Sequence, residues 1–412
     1  MSAVPFPAVV PRGLLVAVLS ALMAFLPIHR AAAQSVVTDP LNRDPLVRQA
    51  FDRFYNEDYN RALVLFGRVR SEHPGDPIAT DYVLYVTLFQ ELSRLDLLDT
   101  TFYATDGFLT GKHTVVEDPK VRDQIKALAE EAINQGDAEL DRNPNDTNAL
   151  FARGWAKSLE ATYQAMVERS FRSALGLALG AKDDEQKVLH LDPSYVDAKM
   201  IVGVYKYVVG ALPFGFKILV GIVGIHGSKS DGMALLRDSA ARGVITSVES
   251  RTVMALFLRR EAEYQQALAI NHGLQAEYPR NFLFALEHAN LSKDAGQGMK
   301  AINLYRQVIS KAQRPGYFAS PHVELAYYGL GASLRGQRLY QQSVEAFLQG
   351  AYQPNTSPEL KRRCLLAAGE DYDLMHQHGK ATEEYQAVIH NGGNTVQGEL
   401  ARKYESDDYS GK

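Results

Sequence analysis

The chain has 412 residues, 46% hydrophobic and 22% charged, an ordinary globular balance that excludes a disordered polymer. Its formal charge of −4 leaves no basic excess to neutralise phosphates, so nucleic-acid binding is disfavoured. Cys364 is the only cysteine, which excludes an intramolecular disulfide and a CxxC metal site.

The first element is a leader. Arg12 opens a short positive region, "GLLVAVLSALMAFL" (13–26) is apolar, and Ala31 and Ala33 precede Gln34 as a small-x-small cleavage site. Residues 1–33 therefore read as an export signal cut after Ala33. An uncleaved N-terminal anchor is the competing reading, but the apolar core is short for a membrane span. Arg12 and Arg30 are the only charges in 1–33. Without them the 44 basic and 48 acidic residues become 42 and 48, a formal charge near −6. The expected location is a bacterial periplasm or the outside of the cell.

Beyond residue 33 strand signals are almost absent and helical periodicity dominates. Five segments share a register: a small residue, usually an aromatic four later, and usually an apolar residue three beyond. They are Ala62-Phe66-Val69, Ala301-Tyr305-Val308, Ser343-Phe347-Gly350, Ala381-Tyr385-Val388 and, with a polar middle position, Ala267-Asn271-Leu274. This spacing puts each triplet on one helix face. Twelve residues before each small residue stands another: Ala50, Ala289, Gly331, Gly369 and Ala255. Two antiparallel helices approach closely only where neither presents bulk, so each pair predicts a packed helical hairpin. Ala267 and Ala301 are 34 apart, and the next steps are lengthened by the loops at 313–321 and 353–358. Pro74, Pro279 and Pro354 mark the handovers.

On these residues the chain resembles the tetratricopeptide repeat superfamily over about 44–76 and 245–392. The resemblance implies an all-α superhelical array, an α-solenoid whose inner helices line a concave groove.

The middle reads as stretched versions of such hairpins. Residues 118–146 predict one long helix ending at Asn143-Pro144, and 147–193 an elongated hairpin. A further helix is expected to start at Asp192-Pro193. The apolar stretch 212–225, with Leu212, Phe216, Leu219 and Val223 on one face and Ile218, Ile222 and Ile225 beside it, predicts a helix buried between the two halves. Lys206 and Lys217 interrupt it too often for a membrane span, though a peripheral membrane contact stays open. Ser228 separates Gly227 from Lys229, which spoils a phosphate loop. Residues 228–243 predict a capped helix with Ser228 or Ser230 as N-cap and Gly243 at its end. Leu212-Pro213, Lys217, Leu219, Gly224, Gly227, Gly232 and Leu235-Leu236 resemble the signature of the tetratricopeptide family that includes the fungal inclusion-body-clearance protein. That resemblance implies a linker between two repeat halves and no chemistry. The expected organisation is therefore 34–76 as an N-terminal hairpin, 77–244 as irregular long hairpins, 245–392 as the C-terminal array and 393–412 as a polar tail.

No HExxH or GxSxG motif occurs. His376 and His378 read as solvated turn residues, and His190, His226, His272 and His288 are scattered. Cys364 reads as a small buried hydrophobe, and Asp183-Asp184-Glu185 as a solvated charge run. No catalytic residue, metal or cofactor is expected. What an array offers is its groove. The usual register points Arg259, Leu286, Asn290, Lys293, Tyr328, Arg335, Glu370 and Asp373 into it. Lys293 follows Asn290, the reverse of the clamp that chaperone-type repeats use for a peptide carboxylate. The expected role is a non-catalytic scaffold of the bacterial envelope that binds a protein or peptide. The alternative is a periplasmic component carrying an apolar small molecule beside the glycine-rich segment, for an uptake or transport system.

Overall fold

The computed structural model describes residues 36–104, 115–215, 218 and 227–411. The chain divides into two units, Met1–Ser35 and Val36–Lys412. Residues 1–33, read from sequence as an export signal, and most of 212–226 lie outside the described residues.

The second unit is an all-α solenoid. Among the described residues there are 17 α-helices and no strand. The helices α1 (Pro45–Tyr55), α2 (Tyr59–Glu72), α3 (Pro77–Arg94), α4 (Pro119–Arg142), α5 (Thr147–Met166), α6 (Phe171–Leu191) and α7 (Ala198–Ala211) form the first part. Then follow α8 (Lys229–Arg242), α9 (Ser247–Arg260), α10 (Tyr264–Glu277), α11 (Phe282–Asp294), α12 (Gly298–Ala312), α13 (Val323–Gly336) and α14 (Tyr340–Ala351). The last are α15 (Pro358–Leu374), α16 (His378–His390) and α17 (Val396–Ser406). Each helix packs on the next, apart from the break between α7 and α8 in the chain, where the two still pair side by side.

Local sequence explains the starts. Asp44, Asp76 and Asp118 each precede a proline at the first helical position, and each carboxylate accepts the backbone N–H two residues on. Ser228 caps α8 by accepting from Asp231 N–H, and Gly243 ends it. Asp192-Pro193 does not start a helix. Asp192 Oδ1 is taken by the N–H and hydroxyl of Ser194, which makes a turn. The helix α7 begins instead at Ala198, after Asp197. That carboxylate is buried and accepts the N–H groups of Val244, Ile245 and Thr246 and the hydroxyls of Thr38 and Thr246. One side chain thus ties three distant stretches together.

The hairpins α1–α2, α9–α10, α11–α12, α13–α14 and α15–α16 repeat one packing pattern. Every small residue of the five predicted pairs is buried. A Cβ on Gly331 would stand 2.7 Å from the Phe347 ring, and one on Gly369 2.5 Å from the Tyr385 ring, so each aromatic of the triplet sits where its partner helix has no side chain. The five hairpins also turn identically. Seven residues after the small residue, Glu57, Ala262, Gly296, Arg338 and His376 all adopt φ between 58° and 74°. The next residue's N–H then bonds the carbonyl five back, as in Asp58 to Arg53 and Leu339 to Leu334. Four of these left-handed positions carry a side chain, so no glycine marks them in the sequence.

Of the signature glycines, Gly232 and Gly227 let α7 and α8 touch. A Cβ on Gly232 would fall 2.6 Å from the Gly203 carbonyl oxygen, and one on Gly227 2.3 Å from Gly210 N. The burial expected for 212–225 falls mostly on residues that are not described. Within that range Phe214 is 74% and Ile218 53% exposed.

Among the described residues three apolar clusters hold the unit. The largest joins α1–α7 to Ile245, Val248, Leu274 and Phe284. A second runs from Phe282 to Ala401. A third surrounds Tyr207, Met233, Leu236 and Leu258. Residues 396–406, read as tail, are helical as α17, whose Ala401 is fully buried.

Candidate functional site: the inner face of the C-terminal array

The helices α9, α11, α13 and α15 carry all eight expected groove residues. Much of the face they form is occupied by the chain's own N-terminal part. Asn281 Nδ2 donates to the Tyr55 carbonyl, and the buried Glu57 carboxylate accepts Phe282 and Leu283 N–H at 3.0 Å each. Glu57 therefore caps α11 from 225 residues away. Tyr55 and Tyr85 both donate to Glu249 on α9. After α3, the short 3-10 turn Thr100–Tyr103 seats on α9 and α11.

Arg259 is the centre of that seat. Its guanidinium is 1% exposed and pairs with Glu287 at 3.2 Å and Asp294 at 2.5 Å. It also donates to Thr100 Oγ1 at 2.5 Å, and Thr100 donates to Glu287. Burial works against the Arg259 charge, but Glu287, Asp294 and Asp99 outweigh it and hold the pKa above its ordinary value. Burial raises Glu287 to about 6 despite Arg259. Asn290 is buried: it accepts from Tyr305 Oη at 2.6 Å and donates to Asp99 Oδ1 at 3.2 Å. Lys293 turns aside to Asp294 at 2.5 Å. Leu286 is 1% exposed and belongs to the core. These residues are engaged within the chain, because the N-terminal segment fills the space that sequence register alone assigns to a ligand.

The other expected residues lie further along. Tyr328 is half-buried, stacks toward Phe347 and lies under the Arg363 guanidinium at 4.8 Å. Arg335 reaches Glu370 at 2.7 Å and Asp371 at 2.6 Å and keeps 25% side-chain exposure. Asp373 is buried and saturated: it accepts from Tyr385 Oη, from Tyr409 N–H and from His378. So His378 is not a free turn residue, whereas His376 does occupy the exposed left-handed turn. The structure thus seals Arg259, Leu286, Asn290 and Asp373 and leaves Lys293, Tyr328, Arg335 and Glu370 partly open.

Two further sequence readings change. Asp184 and Glu185 are buried, not solvated. Arg153 and Lys157 pair with Asp184, while Glu185 lies against Gly154, where the missing side chain makes room. Cys364 is fully buried as expected, and burial pushes its thiol up to about 12.

Among the described residues two groups of ligand-type side chains converge. Near the surface, the buried Asp373 meets His378 and the exposed Asp408. Inside, His322 Nδ1 lies 2.9 Å from Asp96 Oδ1 and 3.1 Å from Glu324 Oε1, with Ser93 Oγ 3.3 Å from Nε2. Burial opposes a charged ring, yet the two carboxylates outweigh it and raise the imidazole to about 10. No motif marks this set, since Asp96 and His322 are 226 residues apart.

A cavity of about 260 Å³ lies between α1, α9 and α10, floored by Phe51, Tyr55, Val248 and Tyr278 and rimmed by Arg48 and Arg251. It is smaller than the roughly 300–1,000 Å³ usual for a small-molecule site. No described helix is long and apolar enough to cross a membrane.

No family model matches the chain, and no curated protein does. Among solved structures it is similar to a chain of the APC/C hetero-tetramer Cut9–Hcn1, at 11% identity and a TM-score of 0.49, over 89% of this chain and 57% of that one. It thus spans 57% of that chain's length. Yeast Tom70 is similar at 12% identity and TM-score 0.38, over 88% and 80% of the two chains. The human IFIT1 dimer with PPP-AAAA is similar at 12% identity and TM-score 0.43, over 90% and 88%.

Proposed function

We propose that the chain is a non-catalytic scaffold that recruits a protein or peptide on the inner face of its repeats. The observation that supports this reading is the seating of residues 99–101. A short segment is held across α9 and α11 by Arg259, Glu287 and Asn290, which is how such a face grips an extended peptide. Further along, Tyr328, Arg335 and Glu370 offer a ring, a guanidinium and a carboxylate that stay partly open. An outside partner of mixed charge fits there. Cys364, the only cysteine of the sequence, is sealed and held as a thiol, which supports a binding role over a thiolate enzyme.

The compartment is part of the proposal. Residues 13–33 support export into a bacterial envelope, and N-terminal sequencing of exported protein should start at Gln34. An intact Met1 would reject this.

The partner is tested by crosslinking and native mass spectrometry of protein purified from its own envelope fraction. A bound protein lost with Tyr328→Ala, but kept with Val64→Ala on the exposed face of α2, supports the scaffold. A stoichiometric apolar small molecule with no protein partner overturns it in favour of a carrier.

A further inference from the structure

Asp96, His322 and Glu324 form a buried meeting of two carboxylates and one imidazole. Asp96 is 6% and Glu324 1% exposed, and the His322 side chain is 15% exposed. Their three ligand atoms lie within 4.8 Å of one another. Two oxygens from different parts of the chain address the same ring nitrogen, Nδ1.

A single N–H at Nδ1 serves two carboxylates poorly. It is shared between acceptors, and the other oxygen of Asp96, Oδ2, is buried with no hydrogen-bond partner. Charge points the same way. A protonated ring leaves the trio at net −1, with the Glu57 carboxylate close enough to feel the ring. A divalent cation beside a neutral ring brings the trio to zero.

The two separations from the ring nitrogen also fit an ion. Ligand atoms about 2.0–2.1 Å from a cation and about 90–110° apart lie roughly 2.9–3.4 Å from each other. The two separations from Nδ1 are 2.9 and 3.1 Å. With Nδ1 as ligand, Nε2–H is left to donate to Ser93 Oγ, the outer contact that fixes a metal-bound histidine's tautomer. The surface group differs. There the oxygen of Asp373 that faces away from the ring, Oδ2, accepts from Tyr385 Oη and Tyr409 N–H, and Asp408 is 68% exposed.

We propose that Asp96, His322 and Glu324 bind a divalent transition-metal ion of the zinc class. Mixed imidazole and carboxylate donors suit zinc better than magnesium or calcium, which take oxygen ligands. The ion pins the turn after α3 to the start of α13, so its role is structural. It is independent of whether the inner face recruits a partner. Binding displaces the ring proton, so uptake strengthens as pH rises.

The test uses the full chain stripped with a chelator and then titrated with Zn²⁺ alone. Elemental analysis and calorimetry should give one zinc per wild-type chain, and none at this affinity for His322→Gln or Asp96→Asn. Zinc should raise the wild-type melting temperature and leave His322→Gln unmoved, with circular dichroism showing that the variant is folded. Cobalt substitution should give a visible absorption band in the wild type only. Folded wild type that takes up no zinc at micromolar free metal overturns the proposal. So does zinc uptake that His322→Gln leaves unchanged, or a ¹⁵N spectrum with both His322 nitrogens protonated in saturating zinc.

Discussion

Ser343 and Gly331, twelve residues apart, are joined by a hydrogen bond of 2.8 Å from the Ser343 hydroxyl to the Gly331 carbonyl. The Phe347 ring, one turn along the same helix, covers Gly331. Backbone contact and ring therefore depend on one missing side chain. Gly331→Ala should destabilise the chain by about 1–3 kcal/mol in denaturant unfolding, because the ring cannot move without opening the core. Trimming the ring in the double variant with Phe347→Leu should recover part of that loss. Purely additive losses would show that the close approach is not what limits the site.

The shared left-handed turn gives a reciprocal pair. Ala262 adopts φ 59° and Gly296 φ 74° at equivalent positions. A side chain in this region costs roughly 1–2 kcal/mol. Ala262→Gly should stabilise by up to about 1 kcal/mol and Gly296→Ala should destabilise by a similar amount. Thermal unfolding that moves both variants in the same direction would contradict the shared turn.

Glu249 supplies a pH test. Burial raises its pKa from 4.5 to about 7, against the Tyr55 and Tyr85 hydroxyls that favour the carboxylate, and Asp197 adds to the rise. Its Oε2 is buried without a partner. The native state therefore holds this proton more tightly than the unfolded chain. The stabilisation is full below pH 4.5 and is lost as pH rises through 7. Glu249→Gln keeps an acceptor for both tyrosines and removes the titration. Its stability relative to wild type should rise by about 3 kcal/mol between pH 4.5 and 8. A difference that stays flat with pH would refute the shift.

Arg259→Met should cost about 3–5 kcal/mol, since Glu287 and Asp294 lose their buried partner. The same change should free residues 99–103, seen as faster amide exchange there than on α16. Unaltered exchange at 99–103 would mean that the seat does not depend on Arg259.

Cys364 should resist Ellman's reagent at pH 7 and react only at the rate of unfolding, as its burial and raised thiol require. Fast stoichiometric labelling of the native protein would contradict its placement and reopen a thiol chemistry.

The hairpins were legible because their signals are local. A small residue, an aromatic four on and a small partner twelve back lie within one repeat, so periodicity reports them directly. The inner face was legible only as a register. That Arg259 and Asn290 are consumed by Asp99 and Thr100 follows from contacts spanning 159 to 191 residues, for which no spacing rule exists. The buried acids Asp197, Glu249 and Asp96 escaped for the same reason. Glu185 was misread as solvated because a charged residue in a charge run looks the same on either side of a helix. Only the opposing Gly154 reveals the space behind it.

The cap that Glu57 places on α11 bears on synthesis. Repeat arrays ordinarily fold from any point and spread to neighbours. Here the first hairpin holds a carboxylate whose partners, Phe282 and Leu283, emerge from the ribosome 225 residues later. The N-terminal half must wait, incompletely packed, until the middle of the chain is made. At about 5–20 residues per second that wait is on the order of 10–45 s. A chain of local repeats is thereby given the long-range closure of a globular domain, and with it a longer exposure of unpacked surface during its own production.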